Sequence, residues 1–240
     1  MFLVALFLIA VASGATAAVA GFGIGSLLTP LFAVRFGMTT AIAAVAIPHA
    51  IATAVRGWRL RHQIDWHVIR TFGVLSAVGA IAGALLYTRF TNRALTLILG
   101  VLLLATAIAG LSNWMRRWQP TPIAAGIFGF ASGLFGGVAG NQGGLRAAAL
   151  FAFPLSPAAF VATSTASGVF VDAGRLPVYV WRAGDSLIPL LAPISIATIG
   201  VLLGTVLGER VLFGLSPERF RKIVSTLIGL LGIWLIARSV

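Results

Sequence analysis

The chain has 240 residues, of which 59% are hydrophobic and only 9% charged, with a net charge of +12 and no cysteine. A soluble domain carries about 25% Asp, Glu, Lys and Arg, so so few charges cannot clothe this chain in a hydrated surface, and a bilayer is the solvent that suits it. Disulfides and thiolate metal sites are excluded with the cysteines.

The positive charge comes from 16 Arg and one Lys against five acids. Most of it clusters between apolar runs: Arg56, Arg59, Arg61 and Arg70, then Arg116 and Arg117, then Arg219, Arg221 and Lys222. That is the pattern of cytoplasmic loops against anionic headgroups, not of a nucleic-acid interface. Trp58, Trp66, Trp114, Trp118, Trp181, Tyr87 and Tyr179 lie near run ends, as interfacial belts require. Crossing the hydrocarbon takes roughly 20 apolar residues, so the chain has room for about eight to ten crossings and no separate soluble domain.

Residues 2–12 are apolar and are followed by Ala15-Thr16-Ala17, which mimics a signal-peptide cleavage site. No Lys or Arg precedes them, and they open an internal repeat, so retention is expected. Shifted by 119 positions, residues 12–56 align without a gap on 131–175, with 13 identities in 45 positions. Ala12-Ser13-Gly14 falls on Ala131-Ser132-Gly133, Val19-Ala20-Gly21 on Val138-Ala139-Gly140, and Arg56 on Arg175. After a two-residue slip, Gly79 and Gly83 meet Gly200 and Gly204, and Arg89 meets Arg210. The fold expected is an all-α polytopic membrane protein of two homologous repeats, 1–118 and 119–240, joined at Trp118-Gln119-Pro120-Thr121-Pro122.

Each copy reads as an apolar helix, a Gly-rich break, a half-helix and three further helices. In the first these are 2–19, 20–26, 26–36, 39–55, 71–88 and 94–113; in the second, 122–135, 136–144, 145–155, 157–174, 187–208 and 222–238. If break and half-helix together cross the membrane, each copy has five spans and the copies are inverted. If that segment is re-entrant, they are parallel. The distribution of Lys and Arg leans towards inversion.

The breaks, Gly21-Phe22-Gly23-Ile24-Gly25-Ser26 and Gly136 to Gly144, interrupt membrane-length runs. Unpaired backbone in lipid costs several kcal/mol per group, so each break must face protein or a polar cavity. A helix start follows each, and its free N–H groups and positive dipole end suit an anion. Matching broken segments in two halves point to a transporter site. The alternative is that the glycines only allow close packing, which leaves Asn141 and Gln142 unexplained. The expected substrate ligands are Gly23, Gly25, Ser26, Asn141, Gln142, Gly143, Gly144 and Arg146. Thr163, Ser164 and Thr165 could line a polar path or bond back to their own helix. Asp172 and Arg175, at i and i+3, can pair as a structural ion pair or as a proton relay. His49, beside Pro48, reads as an interhelical contact or a proton carrier.

These segments resemble the sulfite exporter TauE/SafE family of bacterial permeases. The resemblance rests on Gly21 to Pro30, on Ser132-Gly133-Leu134-Phe135-Gly136-Gly137 through Gly143-Gly144-Leu145-Arg146, on Ala159 to Ser164, and on Val171-Asp172-Ala173-Gly174-Arg175-Leu176-Pro177-Val178-Tyr179. It implies a secondary transporter in the bacterial cytoplasmic membrane that moves a sulfur-containing oxyanion such as sulfite, thiosulfate or an organosulfonate, with no prosthetic group. Many members carry Gly-Gly-Gly in each break, where this chain has Gly23-Ile24-Gly25 and Asn141-Gln142-Gly143-Gly144. Expected partners are a small anion and the lipid bilayer, with no nucleic acid, and the assembly considered is a homodimer. The alternative is a cation or metal permease, for which only Asp172 offers a deep ligand. An intramembrane enzyme lacks its motifs. An assembly subunit leaves the broken helices unexplained.

Overall fold

The computed structural model describes residues 1–87, 121–140 and 143–239, with isolated positions between 97 and 111. Asn141, Gln142, the linker at 112–120, and Trp114, Arg116, Arg117 and Trp118 within it lie outside the described residues, as do Arg89, Arg93 and most of the expected helix at 94–113. All described elements are helical, with no strand among them. They are α1 (Phe2–Ala20), α2 (Ile24–Phe36), α3 (Met38–Arg59), α4 (Trp66–Leu86), α5 (Pro122–Ala139), α6 (Gly143–Leu150), α7 (Pro157–Leu187), α8 (Leu191–Leu212) and α9 (Pro217–Ser239).

Local chemistry sets the ends. Asp65 caps α4 by accepting the His67 and Val68 N–H groups, and Thr121 and Ser156 cap α5 and α7, each ahead of a proline in the first turn. Gly21 and Gly140 close α1 and α5 in the left-handed conformation, at φ 79° and 67°, where a Cβ would be strained.

Six described runs are long and apolar enough to cross a membrane, and one of them, Pro157–Leu212, holds both α7 and α8. The expected eight to ten also counted the two half-helices and the 94–113 segment. Outward-facing residues such as Val4, Leu8, Ile123, Ile199 and Ile233 are exposed, which only a lipid solvent makes sensible. Trp58, Trp66 and Trp181 are exposed near helix ends, as an interfacial belt demands. Tyr87 and Tyr179, expected in that belt, are instead buried, their ring centroids 4.9 Å apart.

Two expected boundaries need correction. Helix α5 runs through Gly136-Gly137 to Ala139, so the second break begins at Gly140 rather than Gly136. Those glycines belong to packing: a Cβ on Gly137 would stand 2.3 Å from the Ala80 carbonyl oxygen. Helix α7 continues past Pro177 to Leu187, about 46 Å in all, because packing holds a helix that one proline only weakens.

Two glycine-lined pairs frame the fold. In one, Gly129, Gly133 and Gly137 of α5 lie against Phe72, Ser76 and Ala80 of α4. In the other, Gly14 of α1 lies against Val201 of α8, and Gly204 and Gly208 lie against Val11 and Ala15. Rising numbers meet rising numbers, so both pairs run parallel. Gly79 stands against Phe130 and Gly83 against Leu134. Under the 119-residue offset these neighbours match those of Gly204 and Gly208, not of Gly200 and Gly204. Packing therefore shifts the aligned register of this helix by one turn, which a two-residue slip chosen on Gly identities could not reveal.

Helices α3 and α7 form the centre and run antiparallel, since His49 meets Asp172 while Arg56 meets Thr165. Helix α2 returns beside α1: the Phe36 ring packs edge-on to Phe2 at 5.9 Å, and the Arg35 guanidinium lies over Phe2. The break Gly21-Phe22-Gly23 is thus the tip of a hairpin, buried at every residue.

Candidate functional site

Three arginines are buried to 1% exposure or less: Arg56 on α3, Arg146 on α6 and Arg175 on α7. Each buried charge costs several kcal/mol unless compensated, so their partners decide what the interior does. The chain has five acids; the buried two are Asp172 and Glu209. Glu209 is held by Arg59 at 2.7 Å and reaches Arg56 only through space, which leaves Asp172 as the carboxylate that pairs directly with one of the three guanidiniums.

Asp172 is fully engaged. Its Oδ1 accepts from Arg175 Nε at 3.0 Å and Nη2 at 2.8 Å, and its Oδ2 from Thr53 Oγ1 at 2.9 Å, with His49 Nδ1 at 2.6 Å. Arg175 Nη1 donates to the Gly136 carbonyl at 2.9 Å, and the Tyr179 hydroxyl to that of Gly137. The expected Asp172–Arg175 pair is formed. It lies deep within α7 rather than at a helix end, because α7 continues twelve residues beyond Arg175.

Arg146 and Arg56 are different. Arg146 donates Nε to Ser164 Oγ at 3.0 Å and Nη2 to the Gly21 carbonyl at 3.3 Å, while Ser164 Oγ donates to the same carbonyl at 3.0 Å. Arg56 donates Nε to Thr165 Oγ1 at 2.7 Å. In both residues Nη1 is buried with no hydrogen-bond partner. Ser164 and Thr165 are adjacent, and a Cβ on Gly168, one turn on, would stand 3.0 Å from Arg146 Nη1. The two guanidiniums thus converge on one stretch of α7 and feel each other's charge.

The two breaks meet here. A Cβ on Gly143, at the start of α6, would stand 2.4 Å from the Phe22 side chain, so only glycine lets the tips approach. Gly23 is the N-cap of α2 at φ 137°, and its carbonyl accepts the Leu27 N–H at 3.1 Å. The N–H groups of Ile24 and Gly25 lie in the first turn, ahead of any intrahelical acceptor. Gly25, Gly143 and Gly144 are buried and Ser26 partly so. Asn141 and Gln142, expected to complete the second tip, lie outside the described residues. Thr163 faces elsewhere: its hydroxyl accepts the Asp65 N–H at 2.9 Å and ties a loop to α7.

Sequence reading missed Arg56, Thr53 and Tyr179 as site residues, while Thr165, which it read with Thr163 and Ser164 as a polar stretch inside a helix, accepts from Arg56. Arg56 counted as a loop charge because Arg59 and Arg61 follow it, yet it is buried inside α3. The available signal was its alignment on Arg175 under the repeat offset.

From Thr163 to Tyr179 the buried polar face of α7 extends about 24 Å, close to the ~30 Å hydrocarbon core. The profile of the sulfite exporter TauE/SafE family matches residues 6–235. The chain belongs to that family. It is a multi-pass membrane transporter, as the family is one of transporters rather than enzymes. No curated protein and no solved structure matches it. No group of three His, Cys, Asp or Glu side chains able to hold a metal occurs among the described residues.

Proposed function

We propose that this TauE/SafE member moves a small sulfur oxyanion, such as sulfite, thiosulfate or an organosulfonate, across the bacterial cytoplasmic membrane. One observation carries the reading: Arg56 and Arg146 are both buried against neighbouring residues of α7, each with an unpartnered Nη1, and Asp172 and Glu209 act on them only through space, with no direct ion pair to either. A guanidinium offers planar, paired donors that match an oxyanion's geometry. The first N–H groups of α2 and α6 add the positive ends of two helices where the breaks meet. An anion bound there replaces water as the missing partner and neutralises charge that the fold leaves uncompensated.

The helix directions support two inverted copies. Helix α1 runs parallel to α8, α4 parallel to α5, and α3 antiparallel to α7. Each helix of the first copy then opposes its counterpart in the second, as alternating access between inverted repeats requires. Arg59, Arg61, Arg70, Arg210, Arg219 and Lys222 gather at the end of the bundle that holds Asp65, which makes that end cytoplasmic under the positive-inside rule.

The test is uptake by the purified protein in liposomes. Radiolabelled sulfite, thiosulfate and methanesulfonate are compared with chloride and a divalent metal. Saturable uptake of a sulfur oxyanion is expected, abolished in Arg146→Ala and reduced in Arg146→Lys. Uptake of the metal alone, or oxyanion uptake unchanged in both variants, would end the reading.

A further inference from the structure

We propose that transport is coupled to a proton carried by His49, so that anion and proton cross together. The inference rests on the anion reading above and adds its driving ion. It starts from the hydrogen-bond inventory at Asp172. Arg175 donates twice to Oδ1, which holds Asp172 as a carboxylate; Oδ2 lies 2.6 Å from His49 Nδ1 and 2.9 Å from Thr53 Oγ1, whose single hydrogen the His49 carbonyl at 2.8 Å also competes for. A carboxylate accepts and does not donate. His49 therefore carries its hydrogen on Nδ1 and presents Nε2 as a lone-pair acceptor, the place a second proton enters. Its side chain is 10% exposed whereas that of Asp172 is 3% exposed, so the ring is the less enclosed member of the pair.

The charges that face His49 give the coupling its sign. Asp172 and Arg175, on α7, already offset one another. Asp172 attracts a proton on His49 and Arg175 opposes it; on α6, Arg146 adds a further like charge through space that no direct ion pair offsets, and Thr53, on the helix of His49, is neutral. A proton on Nε2 therefore adds a positive charge to a site that already holds an excess of them. An oxyanion bound at Arg146 removes that repulsion. By linkage, whatever makes protonation easier when the anion is bound makes the anion bind tighter when the proton is. Two ligands that favour each other on one carrier state move in the same direction, which is symport. Imidazole is the side chain whose ordinary titration falls in the physiological range. The step needs no other reactant: Nε2 takes a proton from water on one side and returns it on the other, while the Nδ1–H bond to Asp172 holds the ring throughout.

The experiment uses wild-type protein in liposomes with the potential clamped at zero by valinomycin and equal potassium. The probes are thiosulfate and methanesulfonate, which stay ionised near neutral pH and so carry no proton themselves. At one proton per anion, an inside-alkaline step of about one pH unit should drive accumulation up to about tenfold above the equilibrium level. Thiosulfate entry should also acidify a trapped pH dye. His49→Gln, which can keep an N–H bond to Asp172 but cannot titrate, should retain thiosulfate counterflow and lose both effects. Wild-type counterflow with no response to the pH step and no dye signal would overturn proton coupling while sparing the anion reading. Pumping that persists in folded His49→Gln would move the proton to another group. Absence of counterflow for every anion tested, in wild type as well, would remove the anion reading and this inference with it.

Discussion

The contact between α4 and α5 gives the sharpest test of the fold. In Gly133→Ala the new methyl carbon would stand 1.9 Å from the Ser76 carbonyl oxygen and 2.9 Å from the Ala80 nitrogen. Both obstacles are backbone, so no side chain can turn away, and ordinary contact near 3.4 Å requires the helices to part by about 1.5 Å. Parting loosens the neighbouring contacts at Gly79, Gly83, Gly129 and Gly137, which share this seam. It also stretches the hydrogen bond from Ser76 Oγ to the Gly129 carbonyl, now 2.9 Å. Overpacking typically costs 1–3 kcal/mol, and an interhelical hydrogen bond in a membrane protein adds about 0.6 kcal/mol. The sum is about 2–4 kcal/mol, or a fall in Tm of about 4 °C or more. Gly184→Ala is the control: it lies inside α7 with nothing within 4 Å of its Cβ position, and Ala favours a helix by up to about 1 kcal/mol. Thermal unfolding of both variants in detergent, followed by fluorescence-detected gel filtration, should show opposite signs. A Gly133→Ala protein as stable as wild type would refute the close approach of α4 and α5.

Asp172→Asn should destabilise by about 3–5 kcal/mol, since it leaves Arg175 buried without its counter-charge; Asp172→Asn with Arg175→Gln should recover part of that loss in the same unfolding assay, and no recovery would mean the two do not act as a pair. Gly143→Val should abolish transport while folded protein still reaches the membrane, because the side chain occupies the space where Phe22 meets α6; normal uptake in liposomes would separate the two tips from the route. The chain lacks cysteine, so Gln63→Cys and Gly184→Cys can be labelled one at a time with an impermeant maleimide, and they should react from opposite faces. Reaction from the same face would contradict the antiparallel run of α3 and α7.

Much of the fold was legible because a lipid-facing helix must be apolar along its whole length, and its ends announce themselves by Pro, Gly and charge. Helix α1 and the turn at Gly37 fall where sequence places them. What failed was any feature set by a neighbour's backbone. Gly136 and Gly137 look like a break in one dimension, yet they are a packing ridge, and nothing local distinguishes the two. Arg56 follows the same logic. Beside Arg59 and Arg61 it reads as a loop charge, but α3 extends four residues past the expected end and carries it inside. Arg146, Ser164 and Asp172 were legible since a charge or hydroxyl within an apolar run has few cheap reasons to be there. Their partners Gly21 and Thr53 were not, because each lies more than 100 residues away along the chain and only folding brings them together.

The exchange of helices across the chain has a consequence for how the protein is made. Helix α1 packs on α8, whose first residue comes about 170 residues after α1 ends. At a synthesis rate of about 5–20 residues per second, α1 waits in lipid for roughly 10–35 s with its glycine seam uncovered. Helix α4 waits less, for α5. Neither half can bury its own seams, so the two must be inserted and held close until translation is nearly complete. A gene split at the linker would then yield two halves whose activity depends on their meeting in the same patch of membrane, and the chain's continuity serves as a tether that fixes their ratio at one to one.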